Sequence, residues 1–168
     1  MDNKYCSKIL ESSNLYTSKF FSDFVVKYTE KLVYDIYMYV DNNIGLGKII
    51  KLDSLCGKHE LSQKITGAVF VTSGIDGQDN ILLEFARQYS RIAIESYDIL
   101  AREAVLDFLN LHNGLFAVMQ SKMNIYELSL NPPKQNGNYA FDLSEYKSIT
   151  IIPVIFTYGT IKFYLCEA

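Results

Sequence analysis

"REAVLDFLNLHNG", residues 102–114, places Glu103, Asp107, Asn110 and Gly114 at spacings of four, three and four. At about 100° per residue, these positions fall within roughly 40° to 60° of one another on a helix. Val105, Phe108, Leu109, Leu115 and Phe116 collect on the opposite side, so the apolar face is complete without the stripe and the stripe points outward. Every surface helix has a polar face, and the two acidic residues need no further explanation. Asn110 and Gly114 do. Asparagine favours caps over helix interiors, and glycine costs about 1 kcal/mol there relative to alanine. An Asn one turn ahead of a Gly, beside a carboxylate, predicts a face that a partner approaches closely.

Working outward, residues 16–40 carry Phe20, Phe21, Phe24, Val25, Tyr28, Leu32, Ile36 and Tyr39 at helical intervals, which predicts a long amphipathic first helix. Asp41 to Asn43 with Gly45 and Gly47 end it. "KIIKLDSL" follows as a short strand, with a loop around Gly57. "SQKITGAVFVTSG" and "NILLEFA", separated by Asp76-Gly77, predict a hairpin across residues 63–86. "RQYSRIAIESYDIL" and "AREAVLDFLNLHNGLFAVMQSK" show helical periodicity and predict two helices with a break near Leu100. Then "MNIYELSL" reads as a strand stopped by Pro132-Pro133, residues 134–146 as a loop, and "SITIIPVIFTYGTIKFYLCEA" as two long strands around Tyr158-Gly159. Pro153 should lie at an edge or a bulge. The order of elements looks like a helix-plus-strands unit used twice. The expected fold is α+β, with long helices packed on an extended antiparallel sheet. Residues 1–15 form an N-terminal extension and 16–168 a single domain.

Composition narrows the function classes. A net charge of −3 with dispersed Lys and Arg leaves no basic face for nucleic acid or anionic lipid. No apolar run reaches the roughly 20 residues of a membrane span, and the first ten residues lack the pattern of a secretory signal. A cytoplasmic protein is expected. Three cysteines, odd in number and far apart, fit free thiols in a reducing compartment. "GLGK" at 45–48 lacks the spacing and the Ser/Thr of a phosphate loop. Cys56 and His59 have metal-like spacing but no companion ligands, since a structural zinc needs four. Glu84 and Glu95 show no convergent partner. His112 falls on the apolar face and reads as a core histidine with a backbone partner.

The stripe resembles the signature of the CheC/CheX/FliY chemotaxis phosphatase family: an acidic residue, three spacers, a Glu, two spacers, an Asn and a later small residue. "ITGAVFVTSGIDGQDNILLEFARQYSRIAIESYDIL" is similar to the family's strands and helix before the motif, "ELSLNPP" to the strand and proline step after it, and "FTYGTIKFYLCE" to its closing hairpin. The likeness covers about residues 62–167. It implies hydrolysis of the aspartyl phosphate of a CheY-type receiver domain, with Asn110 orienting the attacking water and Asp107 engaging the receiver's lysine. Glu103, Asn113 and Gly114 are then partner-binding. Acyl phosphates are already activated, so positioning can suffice. No cofactor of its own is implied, and Mg²⁺ comes with the receiver. Asp107 stands where the family has Glu and is shorter by one methylene, about 1.5 Å. A receiver- or flagellar-switch-binding module without catalysis is therefore the alternative. In the first helix Glu30 is followed three later by Val33, and Asp35 by Met38, so no second amide is offered. One site per chain resembles the CheX branch, which implies a homodimer.

Overall fold

Helical and strand periodicities alternate twice along the chain, and the fold follows that rhythm. The computed structural model describes residues 5–52, 61–135 and 146–168. In the first half, α1 (Cys6–Ser12) and α2 (Lys19–Tyr39) lead into β1 (Gly45–Leu46), β2 (Ile50–Leu52), β3 (Leu61–Gly67) and β4 (Val71–Asp76). In the second, α3 (Asp79–Ser90) and α4 (Ile99–Lys122) lead into β5 (Leu128–Leu130), β6 (Lys134–Gln135), β7 (Ser148–Phe156) and β8 (Gly159–Glu167). All described strands join one antiparallel sheet ordered β1-β7-β8-β4-β3-β5, with β2 also on β7 and β6 also on β3. Exchanging the halves reads the same order backwards. The repeated unit is thus a pseudo-two-fold arrangement about the β4–β8 seam.

The long helices cover one face of this sheet. Ser18 caps α2 by accepting from Phe21 N–H, and the stripe Phe21, Phe24, Val25, Tyr28, Leu32 and Ile36 is buried at helical spacing. Asp98 caps α4 by accepting from the N–H groups of Leu100 and Ala101. Its buried side chains share one core with Ile65, Ile152, Val154, Phe163 and Leu165 from the strands, and Phe108 meets Phe163 at 6.3 Å. Aromatic edges lock the helices to one another, with Phe24 of α2 against Phe116 of α4 at 5.6 Å and Phe85 of α3 against Phe108 of α4 at 5.2 Å.

Several expectations need correction. Residues 63–86 are not a hairpin. The turn falls earlier, between Gly67 and Val71, and "NILLEFA" lies in α3. Ile81, Leu82, Phe85 and Ala86 are its buried positions, a helical stripe concealed within a short apolar run. Gly67 makes the early turn possible. It has φ +110°, and a Cβ there would collide with the carbonyl oxygen of Glu127. The expected helix over residues 87–100 is also revised, because Arg91 at φ 60° ends α3 and residues 91–98 form a connection pinned by Arg87 Nε to Ile94 O at 2.5 Å. The extension at 1–15 contains α1, and it buries Tyr5 and Ile9 in the core, with Tyr5 O–H donating to Ile44 O at 2.8 Å. Within the expected 134–146 loop, Lys134 and Gln135 pair with β3. The parts of that loop at 136–145, and Gly57, lie outside the described residues.

Pro153 sits mid-strand in β7, away from the expected edge. Its carbonyl accepts from Gly47 N–H at 2.8 Å, and the N–H it lacks faces the same side, so the bond that would return to Gly47 is missing where the partner strand breaks between β1 and β2. His112 is fully buried as expected, but its partner is a carboxylate. Nδ1–H donates to Asp35 Oδ2 at 2.8 Å, and Asp35 Oδ1 accepts from Lys31 Nζ at 2.7 Å, which clasps α2 to α4. Burial holds His112 below its usual range, against the opposing pull of Asp35.

Two outcomes follow from these contacts. Gly67→Ala should lose about 1–3 kcal/mol in urea unfolding. Gly45→Ala, where the nearest atom to an added Cβ is Ile155 Cβ at 3.6 Å, should stay within about 0.5 kcal/mol. Because native His112 resists protonation, the unfolded chain takes up a proton that the fold does not as pH falls below about 6.5. Stability should therefore fall on acidification from pH 7.5 to 5.5, by up to about 1.4 kcal/mol per pH unit for this one group. His112→Asn, whose Nδ2 takes the place of the Nδ1–H donor to Asp35, should flatten that slope, and an unchanged slope would remove His112 as its source.

Candidate functional site

The α4 stripe emerges where the helix crosses β3. Glu103, Asp107 and Asn110 are exposed and Gly114 is half-buried. Nothing inside the described chain explains the glycine, because a Cβ built at 114 would find only Leu130 Cδ1, at 4.0 Å. Its helix penalty of about 1 kcal/mol is therefore not offset by internal packing. Open space stands in front of it, beside Asn110.

Both functional candidates are tethered from below. Asp107 Oδ2 accepts from Tyr89 O–H of α3 at 2.6 Å. Burial, then the adjacent carboxylate, raises the Tyr89 pKa, so its proton stays in that bond. Asn110 Oδ1 accepts from Gln63 Nε2 of β3 at 2.8 Å. Gln63 is only 1% exposed. Its Nε2 also donates to Asn131 O at 2.8 Å, and its Oε1 accepts from Asn113 Nδ2 at 2.8 Å.

Asn113 corrects the sequence reading. It was expected at the partner surface, but it is fully buried, with Oδ1 accepting from Tyr28 O–H at 2.8 Å and Nδ2 also donating to Ser73 Oγ at 2.8 Å. The helical wheel explains this. Asn113 lies about 40° from Leu109, on the core side, and about 60° beyond Asn110. It supports the site from inside. Gln63, Tyr89, Tyr28 and Ser73 were not singled out from the sequence. For Gln63 one signal existed, since period two places it on the same side of β3 as Leu61 and Ile65.

The helix related to α4 by the pseudo-two-fold is α2, "KFFSDFVVKYTEKLVYDIYMY", which contains no Asn or Gln at any position. Among the described residues no three His, Cys, Asp or Glu side chains gather as a metal site. Cys56 and His59 lie outside them. Cys6 is exposed and Cys166 buried, and burial pushes the Cys166 thiol up to about 12. Glu84 pairs with Arg87. Among the described residues no helix is long and apolar enough to cross a membrane.

No family model and no curated protein matches the sequence. Solved structures match it by fold. A CheC-like superfamily protein from Shewanella sp. PV-4 aligns with a TM-score of 0.69 at 19% identity, over 87% of this chain and 97% of that one. A chain of the CheX–CheY–BeF3–Mg complex from Borrelia burgdorferi aligns with a TM-score of 0.70 at 16% identity, over 86% and 97%. A chain of the FliM–SpeE complex from H. pylori aligns with a TM-score of 0.59 at 7% identity, over 90% and 89%. The chain therefore has the α+β fold of CheC/CheX-like proteins, helices packed on an extended antiparallel sheet.

Proposed function

We propose that the chain belongs to the CheC/CheX/FliY family and hydrolyses the aspartyl phosphate of a CheY-type receiver domain. One observation carries the reading: the Asn110 carboxamide stands exposed on α4, next to open space at Gly114, with its oxygen already engaged from inside. The fold is shared with a chain crystallised in a CheX–CheY complex, which supports a receiver as the partner.

The chemistry asks little of this chain beyond placement. An acyl phosphate has a good leaving group, and a receiver supplies its own Mg²⁺, so the missing element is a water held in line with phosphorus. A carboxamide can both donate to and accept from such a water. Asn110 is the proposed catalytic residue. Asp107, with Glu103 one turn earlier, would meet the receiver's cationic side chain, and the Tyr89 bond leaves the second Asp107 oxygen for that contact. Gly114 lets the receiver backbone approach. As a one-site member of the CheX branch, the protein would act as a cytoplasmic homodimer.

The same Tyr89 tether favours a second reading. It ties down a side chain about 1.5 Å shorter than glutamate, which fits a module that binds a receiver or flagellar switch component without hydrolysing anything.

Phosphate release from a phosphorylated CheY-type receiver of the same organism separates the two. Wild type should accelerate release, Asn110→Ala should lose about 100-fold or more of that acceleration, and receiver binding should survive the substitution. Binding without acceleration by wild type would establish the silent module, with Asp107→Glu as the variant to restore activity. No binding at all would remove both readings.

A further inference from the structure

We propose that Gln63 is the positioning residue of this site: from within the core it dictates which end of the Asn110 carboxamide faces the partner. The two ends of an amide have nearly the same shape, so its polarity must be set by a neighbour that can play only one hydrogen-bonding role. That neighbour is the main-chain carbonyl of Asn131, which can only accept.

Asn131 is itself held in place. It precedes Pro132, which restricts it to extended backbone, and its N–H donates to Lys64 O at 3.0 Å along β3. Its carbonyl accepts from Gln63 at 2.8 Å, so that end of the Gln63 side chain is Nε2. The other end is then Oε1, and it meets Asn113, which must present Nδ2. Asn113 Oδ1 in turn meets the Tyr28 hydroxyl. The second Nε2 hydrogen of Gln63 points at Asn110, 2.8 Å away. A flipped Asn110 would set two N–H donors face to face at that distance. Asn110 therefore turns Oδ1 inward and offers both Nδ2 hydrogens and one remaining Oδ1 lone pair outward.

Gln63 does this without being reachable, at 1% exposure beneath α4. The terminal torsion of asparagine is broad and nearly two-fold. Without Gln63, Asn110 would divide its time between two opposite polarities, of which one suits a water at a fixed place. The loss should appear in turnover and not in partner affinity.

The catalytic half of this inference rests on the phosphatase reading; the orientation of Asn110 does not. The first measurement is therefore made on the wild-type protein by NMR of side-chain amide exchange. The Gln63 Nε2 hydrogens should exchange slowly with solvent and those of Asn110 Nδ2 quickly. Protected Asn110 hydrogens, or unprotected Gln63 hydrogens, would overturn the proposal whatever the protein does to receivers. Phosphate release then tests the consequence with Gln63→Met, which keeps side-chain length and removes both donors. Turnover at saturating receiver should fall about tenfold or more while receiver affinity stays within about twofold. Unchanged turnover, or equal losses in turnover and affinity, would remove Gln63 from the positioning role. A wild type without phosphatase activity but with the expected exchange pattern would sink the function and leave the orientation standing.

Discussion

Three carboxamides meet between α4 and β3, and the two that are buried, Gln63 and Asn113, are costly to bury unless their hydrogen bonds are made. An unpaired amide in the interior costs on the order of 1–3 kcal/mol. Here the demand is met by a ladder in which Gln63 and Asn113 use each other, a serine, a tyrosine and a main-chain carbonyl. Meeting it fixes the rotation of α4 over the sheet. A helix turned by one residue would carry Asn113 away from Gln63 and Ser73 and leave their hydrogen bonds unmade. The outer face that carries Asn110 and Asp107 is set by this inner accounting as much as by the apolar stripe.

The two long helices divide their work unequally. Both bury a stripe of aromatic and branched side chains, and both lie on the same side of the sheet. Only α4 turns a carboxamide outward. What α2 contributes is support: Tyr28 reaches Asn113, and Asp35, neutralised by Lys31, reaches His112. These contacts bracket the turn of α4 next to Asn110. A buried carboxylate with two cationic or donating partners resists displacement, because parting it from either would leave a charge without compensation.

Much of this was legible in the residues. The stripe on α4 could be read because its polar and apolar positions separate cleanly at 3.6 residues per turn, and the closing hairpin because β-branched runs flank Tyr158-Gly159. The misreadings have physical causes. A seven-residue apolar run such as "NILLEFA" satisfies either period, and Gly74 looks like a turn glycine although it lies within β4, where a Cβ would run into the ring of Tyr164. The supports of the site were not legible, because Gln63 and Tyr89 lie 47 and 18 residues from the side chains they hold. Sequence shows what a residue can donate; only the fold shows to whom.

The seam between β4 and β8 has a kinetic side. Each half keeps its central hairpin to itself but sends its short strands to the other half: β1 and β2 pair with β7, and β5 and β6 pair with β3. Gly45 and Ile155, partners in the sheet, are about 110 residues apart in sequence. Neither half can finish its share of the sheet alone, so loop closure over most of the chain precedes the reward of the last pairings. A ribosome releasing this chain delivers α4 and its carboxamides well before the strands that complete the sheet beneath them. The nascent protein must hold that amphipathic helix in reserve, which makes high contact order a cost of the interleaved symmetry.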